Sequence, residues 1–195
     1  MYVGFVVLSL VVGFTGSALR RAYVVDSFEV VTGTMEPTIR EGDHVVVTKL
    51  HERGQMPARG DLIVFRYPLD PGEVFLKRVV AVGGDTVEDT PERLVVNGTA
   101  WPRRPCDEGS PVPSNHAGCV LERAPDGREF TIREEQPVAA SRRVRMTVPA
   151  GQLWVRGDHR GASHDSTTFG PVPVESVVGH ARAIFSPLDR LGPVK

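Results

Sequence analysis

Cysteine is almost absent: 195 residues carry two, Cys106 and Cys119. Neither forms a CxxC pair, and no Cys/His spacing matches a zinc site, so neither a metal nor a cofactor is expected. An excess of either charge is also lacking. Against 23 Lys and Arg stand 24 Asp and Glu, a formal net charge of -1. That excludes a globally basic nucleic-acid binder, and no nucleic-acid partner is expected. Beyond residue 20 no apolar stripe recurs at the helical period, and no internal repeat of useful length is present. Long helical bundles and solenoids are thereby excluded. Over residues 2–19 charge is missing altogether.

What fills that uncharged stretch is YVGFVVLSLVVGFTGSAL. Eighteen helical residues span about 27 Å, close to a bilayer core of about 30 Å. Residues 1–20 therefore read as a transmembrane anchor. A cleaved secretory signal is the second reading, but no basic n-region precedes the span and no small-x-small site precedes Arg20. Arg20 and Arg21 follow the span, which by charge counting alone favours a cytoplasmic body.

The remainder is rich in turn-formers and β-branched residues, with 20 Gly and 16 Pro, and a mainly β fold is expected. Strands are predicted at Phe28–Val31, Asp43–Lys49, Asp61–Tyr67, Glu73–Val82, Phe130–Arg133, Arg143–Val148 and Gln152–Arg156, with weaker runs near Val177 and Ile184. Asn97-Gly98 between Arg93–Val96 and Thr99–Trp101 predicts a hairpin with a type I′ turn. Residues 99–142 are rich in Pro, Arg and Ser and poor in apolar runs. They read as an inserted lobe on a core made of 21–98 and 143–186, with 187–195 as a tail. Cys106 and Cys119 bracket a polar loop inside that lobe; a disulfide there implies an oxidising compartment.

Three segments could carry chemistry. Val31–Ile39 (VTGTMEPTI) places a Gly between two hydroxyl residues, with Pro37 stiffening the exit. Lys77 lies among Phe75, Leu76, Val79 and Val80. A Lys in such a strand either snorkels outward or is partly buried, and burial frees a neutral amine to act as a base. Gly157–Pro173 (GDHRGASHDSTTFGPVP) is polar and follows the predicted strand QLWVR directly.

In order and spacing these segments resemble type I signal peptidase, the membrane-bound Ser/Lys endopeptidase of the S26 family. The family's Ser-x-Ser-Met-x-Pro-Thr motif is matched by Thr32-Gly33-Thr34-Met35-Glu36-Pro37-Thr38. Its Lys-Arg-Val-Val and Gly-Asp motif is matched by Lys77–Val80 with Gly84-Asp85. Its last box is matched by Gly157, Asp158, Arg160, Ser163, Asp165, Ser166, Gly170, Val172 and Pro173. The chain departs at the nucleophile, where Thr34 stands for Ser, and at Thr32. It departs too at His159, which replaces the usual Asn, and at Gly161 and Ala162.

The resemblance implies a β catalytic core with Thr34 as nucleophile and Lys77 as general base. Thr32 joins the Thr34 backbone N–H in binding the oxyanion. It also implies that Ser163 hydrogen-bonds Lys77, that Asp158 pairs with Arg78, and that Asp165 supports the same network. Shallow apolar subsites lined by Val30, Val31, Met35, Ile39, Phe75 and Leu76 would accept signal peptides ending in a small-x-small pattern. The peptide would lie extended beside strand 28–32. A monomer in the plasma membrane with an extracytoplasmic catalytic domain is expected, in a bacterium or, alternatively, in the mitochondrial inner membrane. The competing readings are a homologue that grips signal peptides without cutting and a membrane-anchored β binding module.

Overall fold

The computed structural model describes residues 25–49, 56–107, 110, 118–134 and 143–194. The anchor expected over 1–20 lies outside the described residues. Among those described, no helix is long and apolar enough to cross a membrane.

The described residues are mainly β. The strands are β1 Val25–Glu29, β2 His44–Lys49, β3 Leu62–Tyr67, β4 Asp70–Val82, β5 Thr86–Asp89, β6 Leu94–Val96, β7 Thr99–Ala100 and β8 Arg103–Pro105. They continue with β9 Cys119–Arg123, β10 Glu129–Arg133, β11 Val144–Thr147, β12 Gln152–Arg156, β13 Val172–Pro173, β14 Val177–Ser186 and β15 Gly192–Pro193. One short α-helix, α1, spans Ser166–Phe169.

The largest sheet runs β1-β2-β14-β3-β4-β12-β13, with β15 paired to β14. Its middle is covered on both faces, and the sequence of β3 shows why. Leu62, Ile63, Val64 and Phe65 are all buried, so apolar side chains leave the strand in both directions. Leu62 and Val64 pack with Met35, Ile39, Val45 and Val47. Ile63 and Phe65 pack with Val79, Leu153 and Val155 on the other side. In β2 burial alternates, Val45 and Val47 pointing inward, as a strand with one core-facing side requires.

Two smaller sheets, β11-β5-β6-β7 and β10-β9-β8, build the rest. Asn97 and Gly98 both have positive φ, 51° and 75°, as the type I′ turn between β6 and β7 demands. The lobe boundary expected at residue 99 does not coincide with a sheet boundary. β5 and β6, assigned to the core, do not join the large sheet: β5 pairs with β11 and β6, and β6 pairs with β7. A shared apolar cluster explains the continuity: Val80, Ala81 and Trp154 of the large sheet pack with Val87, Leu94, Val96, Trp101 and Phe130. The expected tail over 187–195 is also tied down through residue 194. β15 pairs with β14, and Arg190 donates twice to the buried Asp43, at 2.8 Å each. Cys106 and Cys119 are joined as a disulfide that links the ends of β8 and β9.

Candidate active site

β1 ends at Glu29 and the chain turns outward. Gly33–Met35 forms one 3-10 turn, closed by the Glu36 N–H donating to Gly33 O at 3.1 Å. The turn presents Thr34 and buries Met35. Lys77 sits within β4, opposite Ile63 of β3 and between Phe75 and Val79 along its own strand. Its side chain does not snorkel: only 4% of the residue is exposed. The Nζ donates to Thr34 Oγ1 at 2.8 Å and to Leu76 O at 3.0 Å. Burial pushes the ammonium down from 10.5 to about 8, against the opposing pull of the Asp165 and Asp158 carboxylates. A hydroxyl thus faces an amine that is neutral in a usable fraction near neutral pH. Thr32 Oγ1 lies 3.3 Å from Thr34 Oγ1.

Arg78, the next residue, is fully buried and forms a bidentate pair with fully buried Asp158, at 2.8 and 2.7 Å. Its Nη1 donates to Gly60 O at 2.9 Å, and the guanidinium lies 4.3 Å from the centre of the Phe130 ring. Thr38 Oγ1 donates to Asp158 at 2.5 Å, so the carboxylate ties the Thr34 loop to β4. A desolvated charge pair survives only when its remaining lone pairs and protons are satisfied, as they are here.

Ser163 departs from expectation. Asp165 makes its own set of bonds, while its carboxylate, like that of Asp158, pulls on the Lys77 ammonium. It caps α1 by accepting from the Thr167 N–H at 3.1 Å, and accepts from the Gly157 N–H at 3.0 Å and Arg156 Nε at 3.1 Å. Arg156 in turn is paired with buried Asp89, which also accepts from Trp154 Nε1 at 2.9 Å. The Thr167 N–H at the start of α1 needs an acceptor, and the Asp165 carboxylate supplies it. Ser163 Oγ is buried with no hydrogen-bond partner, and does not meet Lys77. It rests on Gly157, where a Cβ would come 2.1 Å from Ser163 Oγ and 2.6 Å from Thr34 O. Only glycine fits there.

The six residues expected to line the subsites divide. Met35, Ile39, Leu76 and Val30 share one apolar cluster. Phe75 belongs to another, stacked on Tyr67 with ring centroids 4.6 Å apart. Val31, next to Thr32 in the chain, is exposed at 67%. Several supports were not foreseen. Arg133 of β10 donates to Glu36 at 2.9 Å. Glu122, fully buried, accepts from Arg103 at 2.8 Å and from Arg160 at 3.0 Å. Isolated charged residues in polar stretches give no sequence signal of pairing, because their partners lie far along the chain.

The comparison with known proteins fits this geometry. A family model described as signal peptidase, peptidase S26, matches residues 2–186. The chain belongs to that family. Among its relatives is a signal peptidase I of Pseudomonas aeruginosa, 33% identical over an alignment of 190 positions that covers 85% of this chain and 66% of that protein. A probable signal peptidase I-1 of Synechocystis is 32% identical over 190 residues, covering 94% of this chain and 82% of that protein. A solved signal peptidase I of Enterococcus faecalis is 30% identical, with a TM-score of 0.39 over 65% of this chain and 97% of that one. The chain thus spans slightly under two thirds of the Pseudomonas member of the S26 family and most of the Synechocystis one.

Proposed function

We propose that the chain is a membrane-bound endopeptidase that removes N-terminal signal peptides from exported preproteins, with Thr34 and Lys77 as its dyad. The observation that carries this reading is the 2.8 Å hydrogen bond between Lys77 Nζ and Thr34 Oγ1, made by a buried Lys pushed down to about 8. A hydroxyl is a weak nucleophile at its free pKa and needs such a neighbour. Neutral Lys77 takes the Thr34 proton as Oγ1 attacks the scissile carbonyl. The Thr34 N–H and the Thr32 hydroxyl face the developing oxyanion. Lys77, now an ammonium, gives its proton to the leaving amine, and then activates the water that hydrolyses the acyl ester. Arg78–Asp158 holds the base strand against the nucleophile loop.

In this reading residues 1–20 anchor the monomer in a bacterial plasma membrane, with the catalytic domain outside. The substrate lies extended beside residues 28–32, where β1 forms an edge of the large sheet. Small residues at the cleavage site would meet the half-buried Val30 and Leu76, which pack on the fully buried Met35 and Ile39 cluster. The test is mass spectrometry of a preprotein incubated in detergent with wild type, Thr34→Ser and Thr34→Ala. Mature-length product from wild type and Thr34→Ser, and none from Thr34→Ala, is expected. Absence of product from both hydroxyl forms overturns the enzyme reading and favours the non-cutting binder.

A further inference from the structure

The nucleophile loop is held from outside its own strand. His159 stands after Asp158 in the final box, with 8% of the residue exposed. Its backbone N–H donates to Thr34 O at 3.1 Å, and its Nδ1 lies 3.3 Å from Gly33 O. A carbonyl oxygen only accepts, so this contact requires a proton on Nδ1. His159 is braced in turn by a parallel bridge to Arg133. The Arg133 N–H donates to Asp158 O, and the Arg160 N–H donates to Arg133 O, both at 2.9 Å. The Arg133 guanidinium reaches Glu36 on the far side of the same loop.

We propose that His159 is a positioning residue whose Nδ1–H, by holding the Gly33 carbonyl, aims the Thr34 backbone N–H at the oxyanion. The inference rests on the dyad reading above. Gly33 C=O and Thr34 N–H belong to one planar trans peptide and point in opposite directions. A donor fixed behind the oxygen therefore sets the direction of the N–H in front. The neighbouring peptide is fixed by the His159 N–H on Thr34 O, so the planes on both sides of Thr34 are clamped by one residue. A hydrogen bond accepted at the carbonyl also polarises the amide and strengthens its N–H as a donor. Glycine at 33 adds no side chain to resist rotation of that plane, so an external clamp matters more there. What position 159 requires is a planar N–H donor, and the Asn usual in the family's last box has one too.

The full chain in detergent is tested as His159→Ala and His159→Asn, with kcat and KM for preprotein cleavage measured separately. Hydrogen exchange of the Glu36 amide, which also donates to Gly33 O, is followed in the same proteins. In His159→Ala, kcat falls about tenfold, the cost of slight misplacement of reacting groups, while KM stays within about twofold. Exchange at Glu36 accelerates. In His159→Asn both return to within about threefold of wild type, because a donor is restored. Equal losses in the two variants, or a wild-type kcat in His159→Ala, overturn the assignment. Should wild type itself cleave nothing, the dyad reading fails. The Glu36 amide then decides the clamp alone, and unchanged exchange in His159→Ala refutes it.

Discussion

Replacing Lys77 with Met removes the base and, by the same physics, stabilises the fold. In the unfolded chain the amine titrates near 10.5, and in the folded protein burial brings it to about 8. Between those values the unfolded state binds the proton more tightly, so wild-type stability rises as pH climbs from 8 towards 10.5. Below pH 8 the whole penalty of holding a buried ammonium is present. At 1.36 kcal/mol per pH unit it amounts to about 3 kcal/mol. Met fills similar volume with no charge, and loses only the hydrogen bonds to Thr34 Oγ1 and Leu76 O. Those bonds offset part of the gain, each contributing about 1 kcal/mol. Lys77→Met is thus expected to be more stable than wild type at pH 7 by about 1–3 kcal/mol. The gap should shrink or reverse by pH 10. Buried Trp101 and Trp154 make fluorescence-detected urea denaturation in detergent the natural assay. A variant less stable than wild type at pH 7, or a gap that ignores pH, refutes the desolvation argument.

The same titration sets the rate. kcat/KM should rise about tenfold from pH 7 to a plateau above pH 9, with a midpoint near 8 in a preprotein cleavage assay. A rate flat down to pH 6 contradicts it. Asp158→Asn strands the fully buried Arg78 and should cost about 3–5 kcal/mol in chemical denaturation, with loss of cleavage. Gly157→Ala forces a methyl against Ser163 and the Thr34 carbonyl, and cleavage should drop about 100-fold while thermal unfolding stays cooperative. His180 is buried with its Nδ1 3.4 Å from Asp61, and burial holds its imidazole below the ordinary range against that carboxylate's pull. It therefore resists protonation when folded, and stability should fall as pH drops below about 6.5. His180→Gln should flatten that fall.

Much of the large sheet was legible because its strands are β-branched runs, several introduced by Gly-Asp turns. β2, β3, β4 and β12 lie where alternation and apolar runs placed them. β5, β8 and β9 escaped notice because Thr86–Asp89 and Arg103–Pro105 carry charge or proline in place of apolar runs. Their stability comes from pairing in small sheets, β5 with β6 and the distant β11, and β9 with β8 and β10. The meeting of Thr34 with Lys77, 43 residues apart, was readable only through the ordered motifs, and the structure supplies the distance. Asp165 illustrates the limit. Its place in a motif could not reveal that it would pair with Arg156, nine residues earlier, which also holds Asp89 on another sheet. Ser163 is a similar case, since the packing of its hydroxyl against Gly157 leaves no mark in motif spacing.

The central claim is that Lys77 serves Thr34 as a base, and one comparison tests it most directly. Single-turnover cleavage of a preprotein is measured for wild type and Lys77→Met at pH 8.5, with substrate in excess of KM and folding verified by fluorescence. The account predicts a folded Lys77→Met protein whose rate has fallen by about 100-fold or more, the scale of a lost general base. A folded variant that cuts at the wild-type rate would contradict it.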